Sequence, residues 1–311
     1  MKKQALAAID LGTNSCRLLI TDLDGNKLYK DATSTRMGEN MSLANCFTQE
    51  AIKRGLDCFC AFRKKMDEYD VVRYRAIATA ACRMAQNGKD FVAAVKEKSG
   101  IDLEVIDGYQ EAVLNLKGAM LNLEKETADY VLVYDLGGGS TEITLATNER
   151  KPRIIHSVSI PWGARNSSEK FGLKEYDAQA AEKLYKEIAA YVHQFIKDSE
   201  WEKHKNQTCT VATSSTPLRL AHIAYDWKNY DRMRADGLKI KTEDYDKAIA
   251  QIKQMSCDEM GKDERVGAHR ADIFQAAGVI FSCIYKELGV KEIVASFKSA
   301  VDGIIGELKN E

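Results

Sequence analysis

The segment Ala7-Ala8-Ile9-Asp10-Leu11-Gly12-Thr13-Asn14-Ser15 is answered later in the chain by Leu132-Val133-Tyr134-Asp135-Leu136-Gly137-Gly138-Gly139-Ser140. In both copies an apolar run ends in Asp, Gly stands two positions further on and Ser five positions further on. A second strand-like run then begins, Arg17 to Thr21 in the first copy and Glu142 to Thr147 in the second. Two such runs around a polar, glycine-bearing turn predict a β-hairpin. A third strand is predicted after each hairpin, Lys27 to Thr33 beyond the Asp24-Gly25 turn and Arg153 to Ile160 in the second copy. The repeated opening predicts two duplicated domains, and 311 residues suffice for two hydrophobic cores.

Between the copies the pattern predicts a helix from Thr48 to Tyr69, a strand at Arg73 to Ala78, a helix at Asp90 to Ser99, a strand at Leu103 to Ile106 and a helix from Tyr109. After the second copy, Ala181, Leu184, Ile188, Val192, Phe195 and Ile196 recur at three- and four-residue spacing, as in an amphipathic helix. A strand at Thr208 to Ala212 follows, then helices at Thr216 to Tyr225, Glu243 to Ser256 and Ala271 to Leu288. A strand at Glu292 to Ser296 and a helix at Ala300 to Leu308 end the chain, and this last helix is expected to pack back on the first domain. Alternating helices and strands predict mixed sheets flanked by helices, an α/β class. The expected division is residues 1–125 with 298–311 as the first domain and 126–297 as the second.

Hydrophobic residues make up 45% and charged residues 29% of the chain, the profile of a folded α/β protein. A formal net charge of −1 gives no global field toward nucleic acid or acidic membranes, so an anion site must be local. The start, Met1-Lys2-Lys3 and then an apolar stretch broken at Asp10, is too short for a signal peptide, and no apolar run is long enough to span a membrane. A cytoplasmic protein without nucleic-acid or membrane partners is the expectation. Its eight cysteines then read as reduced core residues. Cys58 and Cys60 fall on different faces of a helix, and the five histidines show no ligand spacing, so structural zinc is not expected.

A turn of Gly, Ser and Thr between strands presents backbone amides with little side chain in the way, which suits phosphate oxygens. Gly12, Thr13, Asn14 and Ser15 form one such turn; Gly137, Gly138, Gly139, Ser140 and Thr141 form the other. Facing one cleft, the two would hold a phosphate chain from both sides. Asp10 and Asp135, at the mouths of the turns, offer oxygen ligands to Mg²⁺, directly or through water. Taken singly, each turn reads equally as a tight hairpin turn with Asp as turn former. Glu142 is alone in an apolar run, and alternation allows it either the solvent face of a strand or a role beside the turn. Glu111, in the first turn of a helix, reads on its own as a carboxylate favoured by the helix dipole.

The segments AAIDLGTNSCRLLI (7–20), YRAIATAACRMA (74–85), LEVIDGYQEAVLNLKGA (103–119) and VYDLGGGSTEITL (133–145), in this order and spacing, resemble the exopolyphosphatase and guanosine pentaphosphate phosphatase (Ppx/GppA) family. The resemblance covers nearly the whole chain. It implies two RNase H-like domains of the actin, sugar kinase and Hsp70 superfamily with an interdomain cleft. It further implies Mg²⁺-dependent release of terminal phosphate from polyphosphate or pppGpp. In Asp107-Gly108-Tyr109-Gln110-Glu111-Ala112 it gives Glu111 the role of the base that activates water. It gives Arg83 a phosphate contact suited to the guanidinium fork. With Glu111 as base, Glu142 joins Asp10 and Asp135 in arranging the metal and its waters, and is the next candidate for the catalytic carboxylate.

Three departures accompany the resemblance. The second-domain Ser-Gly-Thr of the family reads Ser214-Ser215-Thr216 here, with Ser215 in place of glycine. Near the C-terminus Arg-Glu-Gly reads Val301-Asp302-Gly303. The chain also lacks the C-terminal helical domains of longer members. Two other readings stay open on sequence alone, an ATPase or small-molecule kinase of the superfamily and a polyphosphate- or alarmone-binding protein without turnover. Assembly is open as well, a homodimer included.

Overall fold

Strand β1 (Ala5–Leu11) is buried along its whole length, the mark of a central strand covered on both faces. In the computed structural model, which describes residues 4–39, 41, 45–121, 123, 127–149 and 152–309, the period-2 alternation of β1 divides it between two cores. Ala5, Ala7, Ile9 and Leu11 face one, with Phe59, Phe62 and Met66. Leu6 and Ala8 face the other, with Ala300, Val301, Ile304, Ile305 and Leu308.

The chain forms two compact units, Met1–Gly118 with Ser299–Glu311, and Ala119–Lys298. The boundary expected at 125 and 126 lies outside the described residues; the division falls earlier, at Gly118, inside a helix. In the first unit β1 pairs antiparallel with β2 (Cys16–Asp22), which pairs with β3 (Lys27–Thr33). On its other side β1 pairs parallel with β4 (Val71–Ala78), and β4 with β5 (Leu103–Val105), giving the order β3-β2-β1-β4-β5. Helix α1 (Gln49–Glu68) is capped by Thr48, whose hydroxyl accepts from the Ala51 amide at 3.1 Å. It is followed by α2 (Ala80–Met84), α3 (Gly88–Ser99) and α4 (Gly108–Met120).

The second unit repeats the plan. Strand β6 (Tyr130–Leu136) lies between antiparallel β7 (Thr141–Thr147), itself paired with β8 (Ile154–Ile160), and parallel β9 (Thr208–Thr213). Helices α5 (Ala164–Phe171), α6 (Ala178–Asp198), α7 (Ser215–Ala224), α8 (Thr242–Ile252) and α9 (Ala271–Glu287) belong to this unit. Strand β10 (Lys239–Lys241) lies outside β11 (Glu292–Ala295) in the order β10-β11-β9-β6-β7-β8. Helix α10 (Ala300–Leu308) returns to cover β1, β2 and β4 of the first unit.

The differences from the sequence reading have local causes. Helices α2 and α5 are too short to show a period. The helix expected over Glu243 to Ser256 stops at Ile252, because Ser256 starts another (Cys257–Lys262): its hydroxyl accepts from Glu259 N, and Glu259 Oε2 accepts from Ser256 N at 2.8 Å. All eight cysteines are free thiols, yet only Cys16, Cys58, Cys82 and Cys283 are buried, while Cys46, Cys60, Cys209 and Cys257 are partly exposed. Among the described residues no helix is long and apolar enough to cross a membrane.

Candidate active site

In the first unit the candidate residues gather at the carboxyl ends of β1, β4 and β5, the edge where open α/β sheets bind ligands. The Gly12–Ser15 turn closes with Gly12 N donating to Ser15 O at 3.0 Å. A second loop pins it from outside, Gly38 N donating to Thr13 O at 2.9 Å and Arg36 N to Asn14 O at 3.0 Å. The approach is close enough that a Cβ on Gly38 would lie 2.1 Å from Thr13 Cγ2. Beside the turn, Thr79 N donates to Leu11 O at 3.1 Å and starts α2, which carries Arg83. Arg83 Nη1 donates to Ile106 O at 2.8 Å and to Glu111 Oε2 at 3.0 Å. The expected base and the expected phosphate ligand are thus a contacting ion pair, with Glu111 buried in the first turn of α4.

Asp10 lies directly across the hairpin from Arg17, and the two are ion-paired at 3.5 Å. The equivalent register in the second unit sets Asp135 across from Glu142. Arg17 therefore stands in the repeat where Glu142 stands in its counterpart. One hairpin sets a carboxylate across from a guanidinium and the other sets two carboxyl groups across from each other. Asp135 and Glu142 are 9% and 2% exposed, so two carboxyl groups share a nearly dry position. Ser159 Oγ donates to Glu142 Oε1 at 2.9 Å.

The second turn is held by α5. Ala164 N donates to Gly137 O at 2.9 Å, Arg165 N to Gly138 O at 2.8 Å and Asn166 Nδ2 to Gly139 O at 3.0 Å. With its carbonyls bound on the helix side and Gly137 N donating to Ser140 O at 3.0 Å, the turn can offer its remaining amides to a ligand. Gly163 is required there, since a Cβ would lie 2.6 Å from Gly138 C and from Gly139 N. Ser140 and Thr141 are buried, and Thr141 Oγ1 donates to Trp162 O at 2.7 Å. Arg165, the residue after Ala164, also reaches Asp272 of α9 with Nη1 at 2.5 Å, tying the turn to the core.

The departures fall differently from expectation. Ser215, expected to occupy a glycine position, is the ordinary first residue of α7. The backbone that glycine alone adopts comfortably is one residue earlier, at Ser214, with φ 89° and ψ −174°. Val301 is fully buried against the sheet of the first unit, so it is a packing residue, and its neighbour Asp302 pairs with Lys30 at 3.2 Å. Sequence reading missed Arg17 and Ser159, whose signal was the hairpin register itself.

Among the described residues no three His, Cys, Asp or Glu side chains form a cluster able to hold a metal. Mg²⁺ does not need one, since it keeps several waters and is bound through one or two carboxylates. Asp135 and Glu142, a buried all-oxygen pair set in register across the hairpin, fit that ion. Asp10, with Arg17 beside it, fits less well.

Comparison with known proteins agrees with this architecture. The Ppx/GppA phosphatase family matches residues 20–310. An exopolyphosphatase-like protein superposes with a TM-score of 0.90 at 22% identity, over 98% of this chain and 99% of its own. An exopolyphosphatase from Cytophaga hutchinsonii gives 0.86 at 23% identity, over 99% and 98%. A Ppx/GppA family member from Aquifex aeolicus gives 0.79 at 23%, over 99% and 98%. A bifunctional 3-dehydroquinate synthase/phosphatase of Fusobacterium nucleatum is 31% identical over 225 residues, 69% of this chain and 33% of that protein. The chain thus spans about a third of that relative's length. The fold is a two-unit α/β arrangement, each unit a mixed sheet flanked by helices, and it is shared with these structures. The family match over nearly the whole length settles membership: the chain belongs to the Ppx/GppA phosphatase family.

Proposed function

We propose that this protein is a Mg²⁺-dependent phosphoanhydride hydrolase that releases terminal phosphate from polyphosphate or pppGpp. The observation that carries the reading is the in-register pair Asp135 and Glu142 at the mouth of a glycine turn whose carbonyls are bound by α5. Family membership supports the reaction class, and the exopolyphosphatase of Cytophaga hutchinsonii is a relative named for such a substrate.

Phosphoryl transfer passes through a loose transition state, so catalysis is positioning and charge neutralisation. In the first unit the remaining amides of the 12–15 turn and the Arg83 guanidinium donate to phosphate oxygens; in the second unit the remaining amides of the 137–141 turn do the same. Glu111 accepts a proton from the attacking water as its oxygen bonds to the terminal phosphorus. The bond from that phosphorus to the bridging oxygen breaks, leaving the shortened chain as the leaving group. Asp135 and Glu142 hold Mg²⁺, which when bound supplies positive charge to the phosphate oxygens. Arg83 now bonds Glu111 and must share that contact with an incoming phosphate.

The test is phosphate release from polyphosphates of graded length, pppGpp and ATP, measured side by side with and without Mg²⁺. Mg²⁺-dependent release from polyphosphate or pppGpp is expected, and Asp135→Asn should shift the Mg²⁺ titration more than substrate affinity. Hydrolysis of ATP alone, or tight binding of polyphosphate with no release at saturating Mg²⁺, would overturn the proposal.

A further inference from the structure

Thr213, the last residue of β9, is fully buried, and its Oγ1 has no hydrogen-bond partner among the described residues. A hydroxyl taken out of water without a replacement partner is unfavourable, and valine would fill the same shape without that cost. The position of Thr213 gives the hydroxyl a use. In the parallel pairing of β6 and β9, Thr213 is the register partner of Asp135. Register partners on adjacent strands, about 4.8 Å apart, project to the same face. Asp135 pairs in turn with Glu142, and Glu142 with Ser159, so one row of side chains runs Thr213, Asp135, Glu142, Ser159 across four strands.

The two hydroxyls flanking the carboxylates differ. Ser159 Oγ is engaged, donating to Glu142 Oε1 at 2.9 Å. Thr213 Oγ1 lies on the Asp135 side and has lone pairs to give. An uncharged oxygen there adds a ligand without adding a third negative charge beside Asp135 and Glu142. Thr213 also directly precedes the 214–216 segment, whose Ser214 adopts a glycine-like backbone at the head of α7, so the strand end is held in a fixed, strained geometry.

We propose that Thr213 supplies a third oxygen, beside those of Asp135 and Glu142, to a divalent cation in the second unit. The inference rests on the reading that these two carboxylates hold the cation.

The test uses the full chain without substrate and Mn²⁺ as the probe, its binding followed by loss of the free-ion paramagnetic signal. Thr213→Val should weaken Mn²⁺ binding by about tenfold, the low end for a lost residue at a metal site. Thr213→Ser should restore affinity to within about threefold of the parent. Metal-free Thr213→Val should melt at or above the parental temperature, since an unpartnered hydroxyl becomes a methyl, while its further rise on adding Mn²⁺ should shrink. Parental Mn²⁺ affinity in Thr213→Val together with weakened binding in Asp135→Asn overturns the role of Thr213 alone. Parental affinity in both variants overturns the carboxylate reading and this inference with it. A metal-free Thr213→Val that melts well below the parent, or does not fold, overturns it too, because the hydroxyl would then have a structural partner.

Discussion

Glu111 keeps its carboxylate 3.0 Å from Arg83 Nη1, and the contact makes its assigned role testable at a single atom. Glu111→Gln preserves shape and a hydrogen-bond acceptor for Arg83 but cannot take a proton from water. The expected result is a fall in kcat of about 10²- to 10⁴-fold with KM and Tm close to the parent. A first-turn carboxylate that only favours the helix dipole would instead cost about 0.3–1 kcal/mol of stability and leave turnover intact. Release at more than about a third of the parental rate would move the base to another residue, Glu142 first. The backbone at Ser214 gives a second residue-scale test. With φ 89° and ψ −174°, a side chain there is strained, and its capping bond to Thr216 N is long at 3.4 Å. Ser214→Gly should therefore raise stability by about 1 kcal/mol, while Ser215→Gly, inside the helix, should lower it by about 0.5–1 kcal/mol. Calorimetric melting of both variants reads the opposite signs, and equal shifts would refute the strain. Sequence alone pointed to the 213–216 segment but not to the strain at Ser214, because a φ angle is set by how strand β9 meets α7 and leaves no trace in residue type.

Hairpins were the elements most legible beforehand, since a glycine turn between two apolar runs has few other solutions, and both Asp residues lie at their strand ends as read. What pins the second turn was not legible: α5 is eight residues long and shows no period, yet three of its first residues bind carbonyls of 137–139. Gly163→Ala should push that turn aside and remove most activity, with a Tm loss of a few degrees, as the backbone it meets cannot yield like a side chain. Unchanged phosphate release would show that the turn's position is not critical. Helix α7 carries a pH response that no spacing rule revealed. His222 is fully buried, its Nδ1 bonds Leu218 O at 2.7 Å and its Nε2 accepts from Asp231 N at 3.0 Å, an arrangement that needs a neutral ring. Burial holds its pKa below the ordinary histidine value. The stability it contributes is then complete above about pH 6.5 and is lost as pH falls toward the lowered folded value, by at most about 1.4 kcal/mol per pH unit. Melting at pH 7.5 and 5.5 should show a larger acid loss in the parent than in His222→Gln; equal losses would assign the response elsewhere.

At the scale of the whole chain, the first unit is built from both ends of the sequence, and this has a thermodynamic consequence. One face of its sheet, with Leu6, Ala8, Leu19 and Ile77, is covered by Ala300, Val301, Ile304, Ile305 and Leu308 of α10. The sequence reading expected this last helix to pack back on the first domain, and it does; which strands receive it, nearly three hundred residues earlier, is fixed only by the fold. Burying the four larger helix side chains contributes about 1.5–3 kcal/mol each, roughly 6–12 kcal/mol as an upper bound. That equals most of the roughly 5–15 kcal/mol by which domains are stable. A chain ending at Lys298 should therefore leave the first unit unfolded or protease-sensitive while the second unit, whose core lies wholly within Ala119–Lys298, keeps its own transition. Leu308→Ala, which opens the same face only in part, should cost about 2–4 kcal/mol and leave both units folded. Limited proteolysis with mass mapping distinguishes the cases: cleavage concentrated between residues 5 and 118 in the truncated chain is expected, and cuts spread equally through both units would mean that the two cores are not separable. Addition of a peptide spanning 299–309 should restore protection to the first unit, because the strands that receive α10 depend on its side chains rather than on the covalent link. Failure of the peptide at millimolar concentration, with the parent fully protected, would place the stabilisation in chain connectivity instead of in the buried face.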